Sequence, residues 1–117
     1  KVAHWLVDQP LVDKVFHPAL PSCPGHNIWK RDFVGSTSVF SFTFHDQVTA
    51  DQAISFVNAL KIFKIGMSWG GVNSLAVIYP DFDRPDVDFA GRIVRLNVGL
   101  EAPDDLIGDL RQAMSGI

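Results

Sequence analysis

The sequence predicts an α+β domain, a small antiparallel or mixed sheet of about four strands with helices packed on one face. Three observations carry that expectation. Phe40, Phe42 and Phe44 alternate with Ser41 and Thr43, the period of a half-buried strand. Thr49-Ala50-Asp51-Gln52 matches a helix capping box, and Ala53, Phe56, Val57 and Leu60 follow at helical spacing. In the stretch RIVRLNVG, Val94, Leu96 and Val98 fall on one side of a strand while Ile93, Arg95 and Asn97 fall on the other.

The remaining elements follow in chain order. Val2, Ala3, Trp5 and Leu6 form a helical pattern that begins abruptly at Lys1 without an N-cap residue, so the first helix reads as cut and the chain as part of a larger protein. Val12 to His17 alternates weakly and ends at Pro18, a short strand. The segment HPALPSCPGHN is a proline-rich loop, and HNIWKRDF suits a short helix before Gly35. After the capped helix, FKIGM and SLAVIY read as short strands on either side of SWGG, and DFDRPDVDFAG reads as an acidic surface loop. The last segment places Pro103 at a first helical position, Asp104 and Asp105 in the first turn, and Gly116 at a possible C-cap. Leu106, Leu110, Ala113 and Met114 supply its buried stripe.

Composition narrows the function classes. With 117 residues, 47% of them hydrophobic and 20% charged, the chain suits one domain with one core. A net charge of −3 and the absence of any Lys/Arg cluster exclude the basic footprint that nucleic acid requires. No apolar run approaches the roughly 18 residues of a membrane span, and a secretory leader pattern is missing, so the expectation is a cytoplasmic protein without membrane or nucleic-acid partners. Cys23 is the single cysteine and has no nearby base, so neither an internal disulfide nor a cysteine nucleophile is expected. The four histidines fit no metal spacing, and Asp81, Asp83, Asp86 and Asp88 lack the glycine and distal glutamate of a calcium loop. No metal site is expected.

GMSWGGVNSL is the unusual stretch. Paired glycines cost backbone entropy and are kept where a side chain would block a turn or the approach of another group. The segment is therefore either a tight connection between strands or the wall of a site. Arg95 has a plain reading as a solvated strand arginine, and Trp69 has one as turn or core packing.

Taken in order, HPALPSCPGHNIWKRDFVGSTSVFSFTF, SWGG-V-N-SL and RIVRLNVGLEAPDDLIGDL resemble the C-terminal domain of the Cys/Met-metabolism family of pyridoxal-phosphate enzymes, and within it the cystathionine β-lyases. The resemblance runs from Val2 to about Met114. It implies the small C-terminal domain of a fold-type I pyridoxal-phosphate enzyme, spanning residues 1–117, with the cofactor held by a separate N-terminal domain and no cofactor-binding or catalytic residue in this chain. By resemblance, Arg95 pairs with the α-carboxylate of an amino-acid substrate, and Ser68 and Trp69 line the same pocket. The implied reaction is β-elimination of cystathionine to homocysteine, pyruvate and ammonia in methionine biosynthesis, by a full-length enzyme that is a homotetramer; the chain by itself is expected to be inactive.

Two features bear on the subdivision of that family. γ-Acting relatives tend to carry glutamate, and β-lyases tyrosine, where this chain has Met67. Trp69 and the WKRDF stretch at Trp29 to Phe33 are similar to β-lyases, the γ-acting relatives usually having leucine in place of Trp69. Alternatives at this stage are a γ-acting enzyme such as cystathionine γ-synthase or γ-lyase, and a stand-alone amino-acid-binding module that uses Arg95 without catalysis.

Overall fold

The computed structural model describes residues 1–80 and 86–117. Among the described residues four helices and five strands follow in the order α1 (Val2–Val7), β1 (Val12–Phe16), α2 (His26–Asp32), β2 (Val39–Phe44), α3 (Ala50–Ala59), β3 (Lys64–Ile65), β4 (Leu75–Tyr79), β5 (Ile93–Asn97) and α4 (Pro103–Met114). The strands form one mixed sheet in the spatial order β1-β2-β5-β4-β3. The sheet has five strands against the expected count of about four, and each matches a segment read as a strand; the edge strand β3, within FKIGM, is only two residues long. Short edge strands limit pairing with foreign chains.

The sequence alternation sets the register. β2 and β5 are antiparallel, with Phe40 opposite Leu96, Ser41 opposite Arg95 and Phe42 opposite Val94. On the other side of β5, Ala76 faces Leu96 and Val77 faces Arg95. The even members of these sets point to one side, where α1, α3 and α4 contribute Leu6, Phe56, Val57, Leu106 and Leu110 to a single core. Phe42, Phe44 and Phe56 meet edge to face, with centroids 5.1 to 6.0 Å apart, the geometry favoured by the aromatic quadrupole. Three of the nine phenylalanines thus account for the centre of the core. β1 reaches the same core through an irregularity between Val12 and Lys14 that lets both Val12 and Val15 turn inward.

Helix ends show where local signals were sufficient. The capping box is formed in full: Gln52 N–H donates to Thr49 Oγ1 at 3.2 Å and Thr49 N–H donates to Gln52 Oε1 at 2.9 Å. Pro103 opens α4 as expected. Gly116 does not cap it. Ser115 is the C-cap, in right-handed helical conformation, and Gly116 is not among the glycines with positive φ. The helix ends without the left-handed residue that a glycine cap supplies, because Gly116 N–H bonds to Ala113 O and Ile117 N–H to Met114 O in a tightened last turn. α2 buries no residue and leaves Ile28 exposed. Of the acidic loop, Asp81 and Asp83 lie outside the described residues, while Asp86 and Asp88 are exposed.

A buried carboxylate ties the helical layer to the edge of the sheet. Asp109 of α4, 4% exposed, accepts backbone N–H bonds from Lys61 at 2.8 Å, Ile62 at 2.7 Å and Phe63 at 3.0 Å. The α3–β3 connection thereby obtains acceptors for donors that no ladder satisfies.

Candidate functional site

The pairing of β3 with β4 decides the shape of the SWGG segment. These two strands are parallel. A parallel pair cannot be joined by a tight hairpin, since the chain must travel back before the second strand starts. Residues 66–74 make that return, and they do so across the end of the neighbouring strand β5. The segment is thus an extended connection rather than a tight turn.

Six hydrogen bonds fasten it there. Asn97, 1% exposed, accepts the Gly70 N–H at 2.9 Å and donates from Nδ2 to Asn73 O at 3.1 Å. The Leu100 N–H donates to Val72 O at 2.8 Å. Glu101 accepts both the Ser74 N–H at 2.9 Å and the Ser74 hydroxyl at 2.7 Å, and Ser74 Oγ in turn accepts the Gly99 N–H at 2.8 Å. These bonds, the Ser74 backbone N–H foremost, hold the Glu101 carboxyl below its ordinary range although burial acts against them. Gly99 is required by close approach: a Cβ there would overlap Val72 O and lie 2.7 Å from the Asn73 carbonyl carbon. Gly70 is required by conformation, at φ +77°.

Arg95 lies on the sheet face opposite the helices, as strand alternation predicts. Its Nη2 donates to Met67 O at 2.5 Å, and its Cζ sits 5.8 Å from the centroid of Tyr79. Among the described residues no carboxylate pairs with it. The ring and the carbonyl orient the guanidinium, and a planar fork so held can receive a carboxylate in bidentate fashion.

Ser68 and Trp69 stand on the crest of the connection, bracketed by Met67, which bonds Arg95, and Gly70, which bonds Asn97. Ser68 is exposed and Trp69 is 67% exposed, so the tryptophan does not pack in the core. The fold therefore brings the backbone beside Ser68 and Trp69 to Arg95. Met67, Val72 and Leu100, also exposed, make the surroundings apolar. A groove of about 490 Å³ is found elsewhere, along β1 between Val15, Phe16, Pro24 and Phe89; among the described residues its lining holds Lys14 but none of the three predicted residues.

Sequence reading missed Asn97, Ser74, Gly99 and Glu101 as parts of this site. Asn97 alone carried a signal, since it shares the face of Arg95 two residues on. The others act through a loop path that no periodicity encodes.

Comparison with known proteins gives a consistent result. The profile of the Cys/Met metabolism PLP-dependent enzyme family matches residues 1–115. The chain is 41% identical over 119 aligned residues to the cystathionine beta-lyase MetC of Escherichia coli (strain K12), covering 94% of this chain and 29% of that protein. It is 37% identical to the cystathionine gamma-lyase of Sus scrofa, over 97% of this chain and 29% of that protein. Among solved structures, a putative O-acetylhomoserine (thiol)-lyase from Campylobacter jejuni superposes with a TM-score of 0.80 at 30% identity, over 97% of this chain and 26% of that one. The chain spans under a third of the length of these relatives.

Proposed function

This chain belongs to the Cys/Met metabolism PLP-dependent enzyme family, and on that premise we propose that it is the C-terminal, substrate-gripping domain of a C–S lyase that cleaves cystathionine by β-elimination to homocysteine, pyruvate and ammonia. The observation that carries the reading is Arg95: an oriented guanidinium on an open sheet face, held by Met67 O and Tyr79, with no protein carboxylate against it among the described residues. Every amino-acid substrate brings a carboxylate to such a fork.

The residues present fit the substrate rather than the cofactor. Pyridoxal phosphate needs a sheltered lysine amine for its carbonyl, and all five lysines of this chain are exposed. Lys1 is paired with Asp104 at 2.6 Å, and Lys64 donates to Lys61 O at 2.8 Å. The cofactor is accordingly assigned to polypeptide outside these residues, where it supplies the electron sink for chemistry at the α-carbon. This domain contributes orientation. A carboxylate fixed by two parallel N–H bonds cannot rotate, so the bond to be broken keeps its angle to the reactive plane. Trp69 and Met67, both exposed, offer apolar surface to flank the bound substrate, and water displaced there strengthens the pairing of its carboxylate with Arg95.

Replacement of Arg95 in the full-length enzyme tests the role. Lysine keeps the charge and loses the fork, while alanine loses both, so kcat/KM falls in the order wild type, Arg95→Lys, Arg95→Ala. A charge-assisted contact of about 1.5–3 kcal/mol gives roughly a 10- to 150-fold loss for alanine. Cofactor absorbance survives. An alanine variant with undiminished kcat/KM, or one that loses its cofactor while folded, overturns the assignment.

A γ-acting enzyme is the second reading, supported by the similarity to cystathionine gamma-lyase. The apolar, 69% exposed Met67 offers no acid to a distal amino group, which favours the β-lyase. Product analysis separates the two: β-elimination of cystathionine yields pyruvate, and γ-elimination yields 2-oxobutyrate.

A further inference from the structure

We infer that Asn97 is a positioning residue for substrate recognition, setting the place of the 66–74 connection over the sheet and, through the Met67 carbonyl, the direction of the Arg95 guanidinium. The inference rests on the carboxylate-gripping role proposed for Arg95.

Asn97 follows Arg95 by two residues on the same face of β5. Its amide is buried and joins three separate stretches of chain. Oδ1 accepts from Ser38 Oγ at 2.8 Å and from Gly70 N–H at 2.9 Å, and Nδ2 donates to Asn73 O at 3.1 Å. The amide has one orientation only, because reversing it would set the NH₂ group against the Gly70 N–H. Gly70 lies three residues beyond Met67, whose carbonyl bonds Arg95, and between them are Ser68 and Trp69. The two bonds are thus the feet of a short arch that carries the predicted substrate-contacting residues. With Arg95 and Asn97 on one rigid strand, the span between the feet is set by the strand rather than by the loop.

Side-chain chemistry defines the probes. Alanine at this position leaves the Gly70 N–H, the Asn73 carbonyl and the Ser38 hydroxyl without their partner. Aspartate is isosteric and keeps the two bonds to Oδ1, but it turns a carboxylate oxygen toward Asn73 O. If Asn97 acts by locating the arch at Arg95, its loss matters only while Arg95 is present. A residue that merely stabilises the fold costs the same with or without Arg95.

The experiment is a double-mutant cycle in the full-length enzyme with cystathionine as substrate, using Asn97→Ala, Arg95→Ala and both together. L-alanine and L-alaninamide serve as competitive inhibitors with and without the carboxylate. Asn97→Ala is expected to lower kcat/KM about 10- to 100-fold, the scale of a misplacement of about 1 Å in a binding group. In the Arg95→Ala background the same substitution should cost less than about 3-fold, since coupled contacts do not add. L-alanine should bind the Asn97→Ala enzyme more weakly, L-alaninamide equally well. Asn97→Asp should fall between wild type and alanine, and it carries the same cycle where Asn97→Ala does not fold. Additive losses, or weakened binding of both inhibitors alike, overturn the inference while leaving Arg95 in its role. An Arg95→Ala enzyme with wild-type kcat/KM removes the role of Arg95, and the inference falls with it.

Discussion

Gly99→Ala is the smallest change expected to displace the site without touching a substrate. The added methyl would overlap Val72 O and sit 2.6 Å from Glu101 Oε2 and 2.7 Å from the carbonyl carbon of Asn73. Glu101 is a side chain and can swing aside. The two backbone atoms cannot, and since carbon atoms rest about 3.5–4.0 Å apart the connection must lift by about 1 Å. Lifting it stretches the Leu100 N–H bond to Val72 O and the Gly99 N–H bond to Ser74 Oγ, both 2.8 Å at rest. Overpacking of this kind costs about 1–3 kcal/mol, against a stability of about 5–15 kcal/mol for a domain of this class, so the protein stays folded. Under the proposed role of this site catalysis suffers more, because misplacement by about 1 Å can cost about 100-fold. The assay pairs the urea midpoint of this chain with kcat/KM of the full-length enzyme. Gly71→Ala is the matched control for stability: its Cβ meets nothing within 4 Å and its φ is not positive, so its midpoint should not fall. Wild-type midpoint and kcat/KM in Gly99→Ala would refute the argument, since the connection would then not be seated on the strand end.

Two other outcomes can be measured on the chain itself. Asp109→Ala removes the acceptor for three backbone N–H groups, of which Phe63 N–H is the most buried, and should lower the unfolding free energy by about 3–5 kcal/mol. Asp109→Asn keeps one acceptor oxygen and should lose less, and equal urea midpoints for the two variants would show that water replaces these bonds. For Glu101, the folded carboxyl lies below its unfolded value of about 4.3. Its contribution is therefore complete above that pH and lost as pH falls through the depressed folded value. Unfolding free energy from pH about 6 to about 3 should decline less steeply in Glu101→Gln than in wild type; parallel curves would mean that the Ser74 bonds do not favour the charged form.

What the sequence determined by itself is whatever adjacent residues settle between them. The alternation of Phe40, Phe42 and Phe44 produces a strand whatever surrounds it, the Thr49–Gln52 box closes its own bonds within four residues, and Pro103 starts α4 because its missing N–H has no partner to lose there. The same period-2 logic places Arg95 on the face opposite Val94 and Leu96, and the motif resemblance singled it out with Ser68 and Trp69. Tertiary structure decided the rest. Whether SWGG is a tight turn or a long return depended on the parallel pairing of β3 with β4, a relation between strands that neither strand states. Gly116 looked like a cap, yet the last turn of α4 tightens instead and Ser115 ends it. Asn97 bonds Gly70 and Glu101 bonds Ser74, each across 27 positions, and Asp109 serves Phe63 across 46. Local propensity is a property of the backbone within a turn or two, whereas a buried polar group takes its partner from whichever segment packing brings within about 3 Å. The arginine could be read from the chain. What holds it in place could be seen only in the fold.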